Sequence, residues 1–176
     1  MDINKKLSYY KTNTSAKPEP AIPSSLSALK EEFGAEICTV NAPYLKIEQK
    51  HSFKFPAKVS LNLLSKKIFN NPIHLNQCLF FDLETTGLAG GAGTYPFLQG
   101  FGYFHEDGFQ VEQFFLPDFG REYYLYEYLQ DKLSKFKYLV SFNGKSYDLP
   151  LLKNRFILNR IKINWQRFKH IDLLHI

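Results

Sequence analysis

Leu79-Phe80-Phe81-Asp82-Leu83-Glu84-Thr85-Thr86-Gly87 decides how this 176-residue chain is read. Its first five residues form a short apolar, aromatic run of the kind found in central buried strands. Side chains alternate across a strand, so Phe80, Asp82 and Glu84 share one face. At ~3.3 Å per residue the two acids stand about two residues apart on it. Two carboxylates at the end of a buried strand repel each other and lose hydration, which is costly unless a cation sits between them. Oxygen ligands of this kind suit Mg²⁺ or Mn²⁺. Gly87 lets the backbone turn and approach a ligand closely. A bare Asp-x-Glu is most often just an exposed strand end, so the rest of the chain must support the pair.

A second constellation lies downstream: Leu139-Val140-Ser141-Phe142-Asn143-Gly144-Lys145-Ser146-Tyr147-Asp148-Leu149-Pro150. A strand runs into a polar turn, and then an Asp stands at a helix start. Asp148 is expected as N-cap, with Pro150 tolerated in the first turn. Gly144-Lys145-Ser146 mimics the end of a phosphate-binding loop, but that pattern needs Gly where the chain has Leu139, so it fails. Ala89 to Pro96 is Gly-rich, has no Lys and precedes a strand. It reads as a flexible loop beside the acid pair.

Between these stretches, Pro96–Phe104 and Phe109–Leu116 are expected as strands joined at Glu106-Asp107-Gly108. Glu122–Lys135 is expected as an amphipathic helix presenting Tyr123, Tyr126, Leu129 and Leu133. Tyr138–Phe142 is a strand, Asp148–Arg160 a helix using Leu151, Leu152, Phe156 and Ile157, and Phe168–Leu173 a last strand. The expected fold is α/β: a mixed five-stranded sheet, antiparallel over its first three strands, then two parallel strands with crossover helices. Residues 1–22 are expected as a disordered arm and 23–76 as an extension of short helices and strands. That extension holds a helix near Leu26–Phe33, strand-like runs at Ile37–Val40 and Tyr44–Ile47, and helical turns at Leu61–Phe69. Residues 77–176 form the main domain.

The composition is globular, 44% hydrophobic and 22% charged. The 17 Phe and 11 Tyr are mostly core, with some rings expected as stacking surfaces for bases. Residues 121–176 carry 11 of the 22 basic side chains but only 5 of the 17 acidic ones, a bias that attracts phosphate backbones. Cys38 and Cys78 form no CxxC pair, so neither zinc nor redox chemistry is indicated. No secretory signal and no membrane span are read, and the expected compartment is the cytoplasm.

The embedded string Phe81-Asp82-Leu83-Glu84-Thr85-Thr86-Gly87-Leu88 closely resembles the first motif of the DEDD family of 3′–5′ exonucleases. Asn143 to Asp148 resembles the second, and the order of strands and helices is that of a ribonuclease-H-like sheet. Gly87 to Leu98 narrows the resemblance to the YprB-like branch of ribonuclease-H-like proteins, over about residues 24–176. The resemblance implies a two-metal nuclease, 3′–5′ on DNA or RNA, with Asp82, Glu84 and Asp148 as metal ligands and catalytic residues. Asp82 would bridge two Mg²⁺ or Mn²⁺ ions, Glu84 hold one and Asp148 the other. It further implies substrate contacts from Thr85, Thr86, Gly87, Leu88 and Asn143, with Tyr147 as packing. His170-Ile171-Asp172 resembles the family acid on the last strand, near the site but not the fourth ligand. The family's third motif, with a fourth Asp and a Tyr or His base, has no counterpart here, so the fold is expected to be C-terminally incomplete. A missing C-terminal segment or a second chain would complete the site. The alternative is a non-catalytic nucleic-acid-binding or scaffold fragment that keeps the fold.

Overall fold

The computed structural model describes residues 28, 30–32, 36–38, 44–52, 72–87, 93–117, 120 and 122–175. The expected arm, the helical turns at Leu61–Phe69 and the loop from Leu88 to Ala92 lie outside them. Of the helix expected near Leu26–Phe33, Ala28 and Lys30 to Glu32 are described, and they are helical.

Seven strands and two α-helices are described: β1 (Glu36–Cys38), β2 (Tyr44–Ser52), β3 (Cys78–Thr85), β4 (Pro96–His105), β5 (Gly108–Phe115), α1 (Tyr123–Ser134), β6 (Tyr138–Ser141), α2 (Asp148–Leu158) and β7 (Lys169–Asp172). They form one sheet in the order β1-β2-β5-β4-β3-β6-β7. β3, β4 and β5 make the antiparallel meander, while β6 and β7 run parallel to β3. The expected mixed sheet is therefore present. Two strands of the N-terminal extension widen it to seven, because β2 pairs with the outer edge of β5.

The hairpin between β4 and β5 turns through Glu106 and Asp107, with Gly108 at φ +149°. A Cβ on Gly108 would meet the His51 carbonyl oxygen at 2.0 Å. Only glycine satisfies both the angle and the close approach of β2.

Alternation on β3 sets the layers. Leu79, Phe81 and Leu83 are buried in the main core with Leu125, Leu129 and Leu133 of α1 and Leu149, Leu152 and Phe156 of α2. The Leu125, Leu129, Leu133 spacing is one helical stripe. Lys132 of α1 makes a buried ion pair with Glu112 of β5, and its ammonium lies 4.3 Å from the Tyr103 ring centroid. The opposite face carries a smaller cluster of Ile73, Cys78, Tyr138, Val140 and Ile171 beside Phe80. Two residues depart from their expected faces. Tyr123 is exposed, and Leu125 takes its place in the stripe. Ile157 is 67% exposed, because Leu149 and the aliphatic stem of buried Arg155 complete the inner face of α2 instead. Cys78 is buried, its thiol donates to the His74 carbonyl, and burial pushes its pKa up to about 12. That leaves it protonated and unreactive.

Candidate active site

The acid pair stands at the end of β3. Asp82 lies opposite Gly100 and Glu84 opposite Leu98 of β4, and the register shifts immediately afterwards, between Glu84 and Thr85. Both acids are exposed while Phe81 and Leu83, the residues that alternate with them, are buried, which is the alternation the sequence predicts. The loop that follows is closed at its base. The Thr86 N–H donates to the Tyr95 carbonyl at 3.0 Å, and the Tyr95 N–H donates to Thr86 Oγ1 at 3.1 Å. Thr85 Oγ1 donates to the Gly87 carbonyl at 2.9 Å. Thr85 and Thr86, expected to meet substrate, thus also shape this loop. The Tyr95 ring lies 4.3 Å from the Arg155 guanidinium, and Arg155 makes a buried ion pair with Glu122. Asn159 Nδ2 donates to the same carboxylate at 2.6 Å. The loop base is therefore tied to both helices.

The third acid arrives on the turn between β6 and α2. Asn143 adopts φ +60°, a left-handed conformation that Asn tolerates well. Gly144 is buried, and a Cβ there would meet Ser141 Oγ at 2.6 Å, Ser141 Cβ at 2.7 Å and Asp148 Oδ2 at 2.8 Å. The turn is held from β7. Asp172, only 6% exposed, accepts from the Asn143 N–H at 2.7 Å on Oδ1 and from the Lys145 N–H at 2.8 Å on Oδ2. The Leu174 N–H adds a third bond at 3.1 Å. Burial alone would raise the Asp172 pKa, but the backbone donors of Lys145, Leu174 and Asn143 hold it below the usual carboxylate value.

Asp148 is not the N-cap of α2. Tyr147 occupies that position, and Asp148 is the first helical residue. The Leu149 N–H is taken by the Gly144 carbonyl at 2.8 Å. Asp148 is half-buried and its pKa is pushed up to about 6, first by burial and then by the charges of Asp82, Asp172 and Glu84. The third acid therefore lies within the field of the first two. Glu84 and Asp148 line one cavity of about 520 Å³, with Thr85, Gly87, Phe142, Asn143 and Tyr147 at its mouth and walls, a size ordinary for a small-ligand site. Asp82 borders an adjacent cavity of about 380 Å³, and Phe142 lines both. Tyr147, expected as packing, is 57% exposed. As the N-cap residue it sits before the helix turns inward, so no core surface is available to it.

The carboxylates supply hard oxygen donors only, which suits Mg²⁺ or Mn²⁺, and after burial it is the negative charges of Asp82, Asp172 and Glu84 that raise the Asp148 pKa. Among the described residues, no three of His, Cys, Asp and Glu close on a single point. The set is an acid pair faced by a third acid rather than a closed cage. His170 Nε2 lies 2.8 Å from Ser141 Oγ and its ring rests against Phe81. Burial lowers its pKa, so it is a neutral core-edge group under the turn.

Several contributors were not legible in the sequence: Asp172 as the anchor of the turn, Gly144 as the gap beside Asp148, and Phe142 as an exposed ring. Asn143-Gly144 signalled a turn, but nothing local signalled what holds it.

No helix among the described residues is long and apolar enough to cross a membrane. Residues 79–176 match the family described as the RNase_H superfamily. Over 113 residues, 64% of this chain, the sequence is 42% identical to the uncharacterized protein YprB of Bacillus subtilis (strain 168). The matched stretch spans 26% of that protein's length. With this sheet order and a family match over more than half its length, the chain belongs to the ribonuclease H superfamily as a YprB-like domain.

Proposed function

We propose that this chain is a metal-dependent nuclease that hydrolyses phosphodiester bonds of DNA or RNA, acting as a 3′–5′ exonuclease. The observation that carries it is that Glu84 and Asp148 line one cavity, with Asp148 in the field of Asp82 and Glu84. Superfamily membership supports nucleic acid as the substrate. Asp82, Glu84 and Asp148 are the proposed ligands of two Mg²⁺ or Mn²⁺ ions. When bound, such ions lower the pKa of an attacking water and stabilise the leaving oxygen. The chain's own groups orient and exclude. Buried Leu83 backs the acid pair, Asn143 sits at the cavity wall, and Lys145 on the exposed side of the turn attracts phosphate. Residues 77–176 are the proposed acting unit, with the cytoplasm as its compartment. A C-terminal continuation or a second chain is the proposed source of a further acid.

The test is cleavage of single-stranded oligonucleotides labelled at either end, with Mg²⁺, with Mn²⁺ and with chelator. Asp82→Asn, Glu84→Gln and Asp148→Asn are each expected to reduce cleavage at least ~100-fold, and chelator to abolish it. Cleavage in chelator, or an Asp82→Asn protein with wild-type rates, refutes the proposal. The spacing of the acids, which bring no three ligands to one point among the described residues, favours a second reading: a non-catalytic nucleic-acid-binding domain. Strand binding without cleavage in either metal selects that reading.

A further inference from the structure

From Leu149 to Ile171 the chain holds six basic side chains and no Asp or Glu. Arg155 is spent on Glu122 in the core, and the other five are exposed or half-buried at the surface. Around β5 the lysines are matched: Lys46 and Lys132 pair with Glu112, and Lys50 pairs with Glu48. Among the described residues, Lys145, Lys153 and Arg167 form no ion pair. These three charges are strung along a row of rings. The Arg167 guanidinium lies 5.0 Å from the Phe168 ring centroid, Phe168 lies 5.9 Å from Trp165, and Lys153 Nζ lies 5.7 Å from the Trp165 centroid. Burial lowers the His170 pKa, and the charges of Lys153 and Lys145 lower it further against that of Asp172. Both ammonium groups therefore lie in the field of β7, the edge strand. The row runs from the end of α1 past β7 to the turn before α2. It is also braced. Arg167 donates to the Ser134 and Phe136 carbonyls at 2.6 and 3.2 Å, Asn164 Oδ1 accepts the Gln166 N–H at 3.2 Å, and Trp165 and Phe168 pack against the main core. Like charges fixed together without carboxylates repel one another, and a polyanion laid along them relieves that cost.

We propose that Arg167, Trp165, Lys153 and Lys145 form a track for a nucleic acid backbone, one that holds the strand along the β7 side of the domain, away from the acid pair. This goes beyond the nuclease reading, since backbone binding needs neither metal nor cleavage. Lys and Arg contacts to phosphate carry no base information, so the track is indifferent to sequence and weakened by salt. β7 is four residues long, ~13 Å at the rise of a strand, which spans about four phosphates of one strand of a duplex. The row ends on the turn that leads into Asp148, and superfamily membership supports nucleic acid as what reaches that turn. This continuity favours a nucleic acid over an anionic membrane.

The experiment is a titration in chelator across a salt series, read by the anisotropy of a fluorescein-labelled oligonucleotide, single-stranded and as a duplex. The wild-type chain is expected to bind, with affinity falling as salt rises. Lys153→Gln removes one phosphate contact. It should reduce the slope of log affinity against log salt by about 0.7–0.9 and weaken binding about five- to eightfold at ~0.1 M salt. Adding Lys145→Gln should roughly double the loss of slope. A second base sequence should show the same losses. Lys153→Arg keeps the charge and should keep affinity and slope, a result that a lost packing contact would not give. Lys50→Gln, on β2, should bind like wild type. An unchanged slope in both the Lys153→Gln and the double variant overturns the track. So does wild-type binding to neither oligonucleotide, or tighter binding to vesicles of anionic phospholipid than to either. If the slopes fall as expected while Mg²⁺ and Mn²⁺ support no cleavage, the nuclease reading alone falls. Metal-dependent cleavage with unchanged slopes removes the track and leaves that reading standing.

Discussion

Replacing Asp172 by Asn changes one oxygen for an NH₂ group and leaves the shape of a buried side chain intact. In the wild type, Oδ1 accepts from Asn143 and Leu174 and Oδ2 accepts from Lys145. The amide keeps one acceptor oxygen, which can retain the first two bonds. Its NH₂ then faces the Lys145 N–H, donor against donor. A hydrogen bond to a charged group contributes about 1.5–3 kcal/mol, and leaving a buried donor unmatched has a cost of similar size. The expected loss is about 2–3 kcal/mol, or roughly 5–10 °C in Tm for a domain of this size. Denaturant unfolding gives the free energy, and amide hydrogen exchange locates it: Asn143 and Lys145 should lose protection while β3 and β4 keep theirs. The variant should also lose pH dependence. The native carboxyl pKa lies below its ordinary value of 3.8, so its stabilisation is present above that value and is lost as pH falls through the lower native pKa. Wild type and Asp172→Asn should therefore converge in acid. A variant within ~0.5 kcal/mol of wild type at pH 7, or an unchanged Lys145 amide, refutes the role assigned to Asp172.

Asp148→Asn tests the opposite sign. The Asp148 pKa is raised to about 6, so its contribution to stability is full below the ordinary carboxylate value and is lost as pH rises through about 6. Asp148→Asn should melt above wild type at pH 7.5 in chelator, with the difference vanishing near pH 4, and a lower melting temperature at pH 7.5 contradicts this. In the wild type, Mn²⁺ should raise Tm more at pH 7 than at pH 5, because protons compete for the same carboxylate. Gly144→Ala places a Cβ against Ser141 and Asp148 Oδ2; overpacking of this kind costs about 1–3 kcal/mol. Cleavage and Mn²⁺ affinity should fall together as the carboxylate is displaced, and an Ala variant with normal metal affinity shows that the gap is unimportant.

The sheet was legible because its signals are local. Alternation on Leu79 to Glu84, the Glu106-Asp107-Gly108 turn and the stripe ending in Leu129 and Leu133 each decide their own element. The errors arose where a side chain's face depends on a distant partner. Tyr123 and Ile157 fit an apolar helical stripe by spacing, yet both point outward. Buried Arg155, paired with Glu122 thirty-three residues earlier in the chain, occupies core that an apolar residue would otherwise fill. A charged side chain is read from sequence as surface, and only the partner makes it interior.

The same division runs through the candidate site. Asp82 and Glu84 could be found because strand alternation puts them together without outside help. Asp148 could be placed by its motif, but not its chemistry. Expected as a cap, it would have spent its carboxylate on backbone N–H groups and carried a lowered pKa. Instead Tyr147 takes the cap position and the Gly144 carbonyl accepts the Leu149 N–H, while Asp172 takes the amides of the turn. The carboxylate lies in the field of Asp82 and Glu84, and its pKa is raised first by burial and then by the charges of Asp82, Asp172 and Glu84. The β6–α2 turn is held from a strand twenty-four residues downstream of Asp148. Asp172 thus braces the turn that leads into Asp148, although it borders neither cavity.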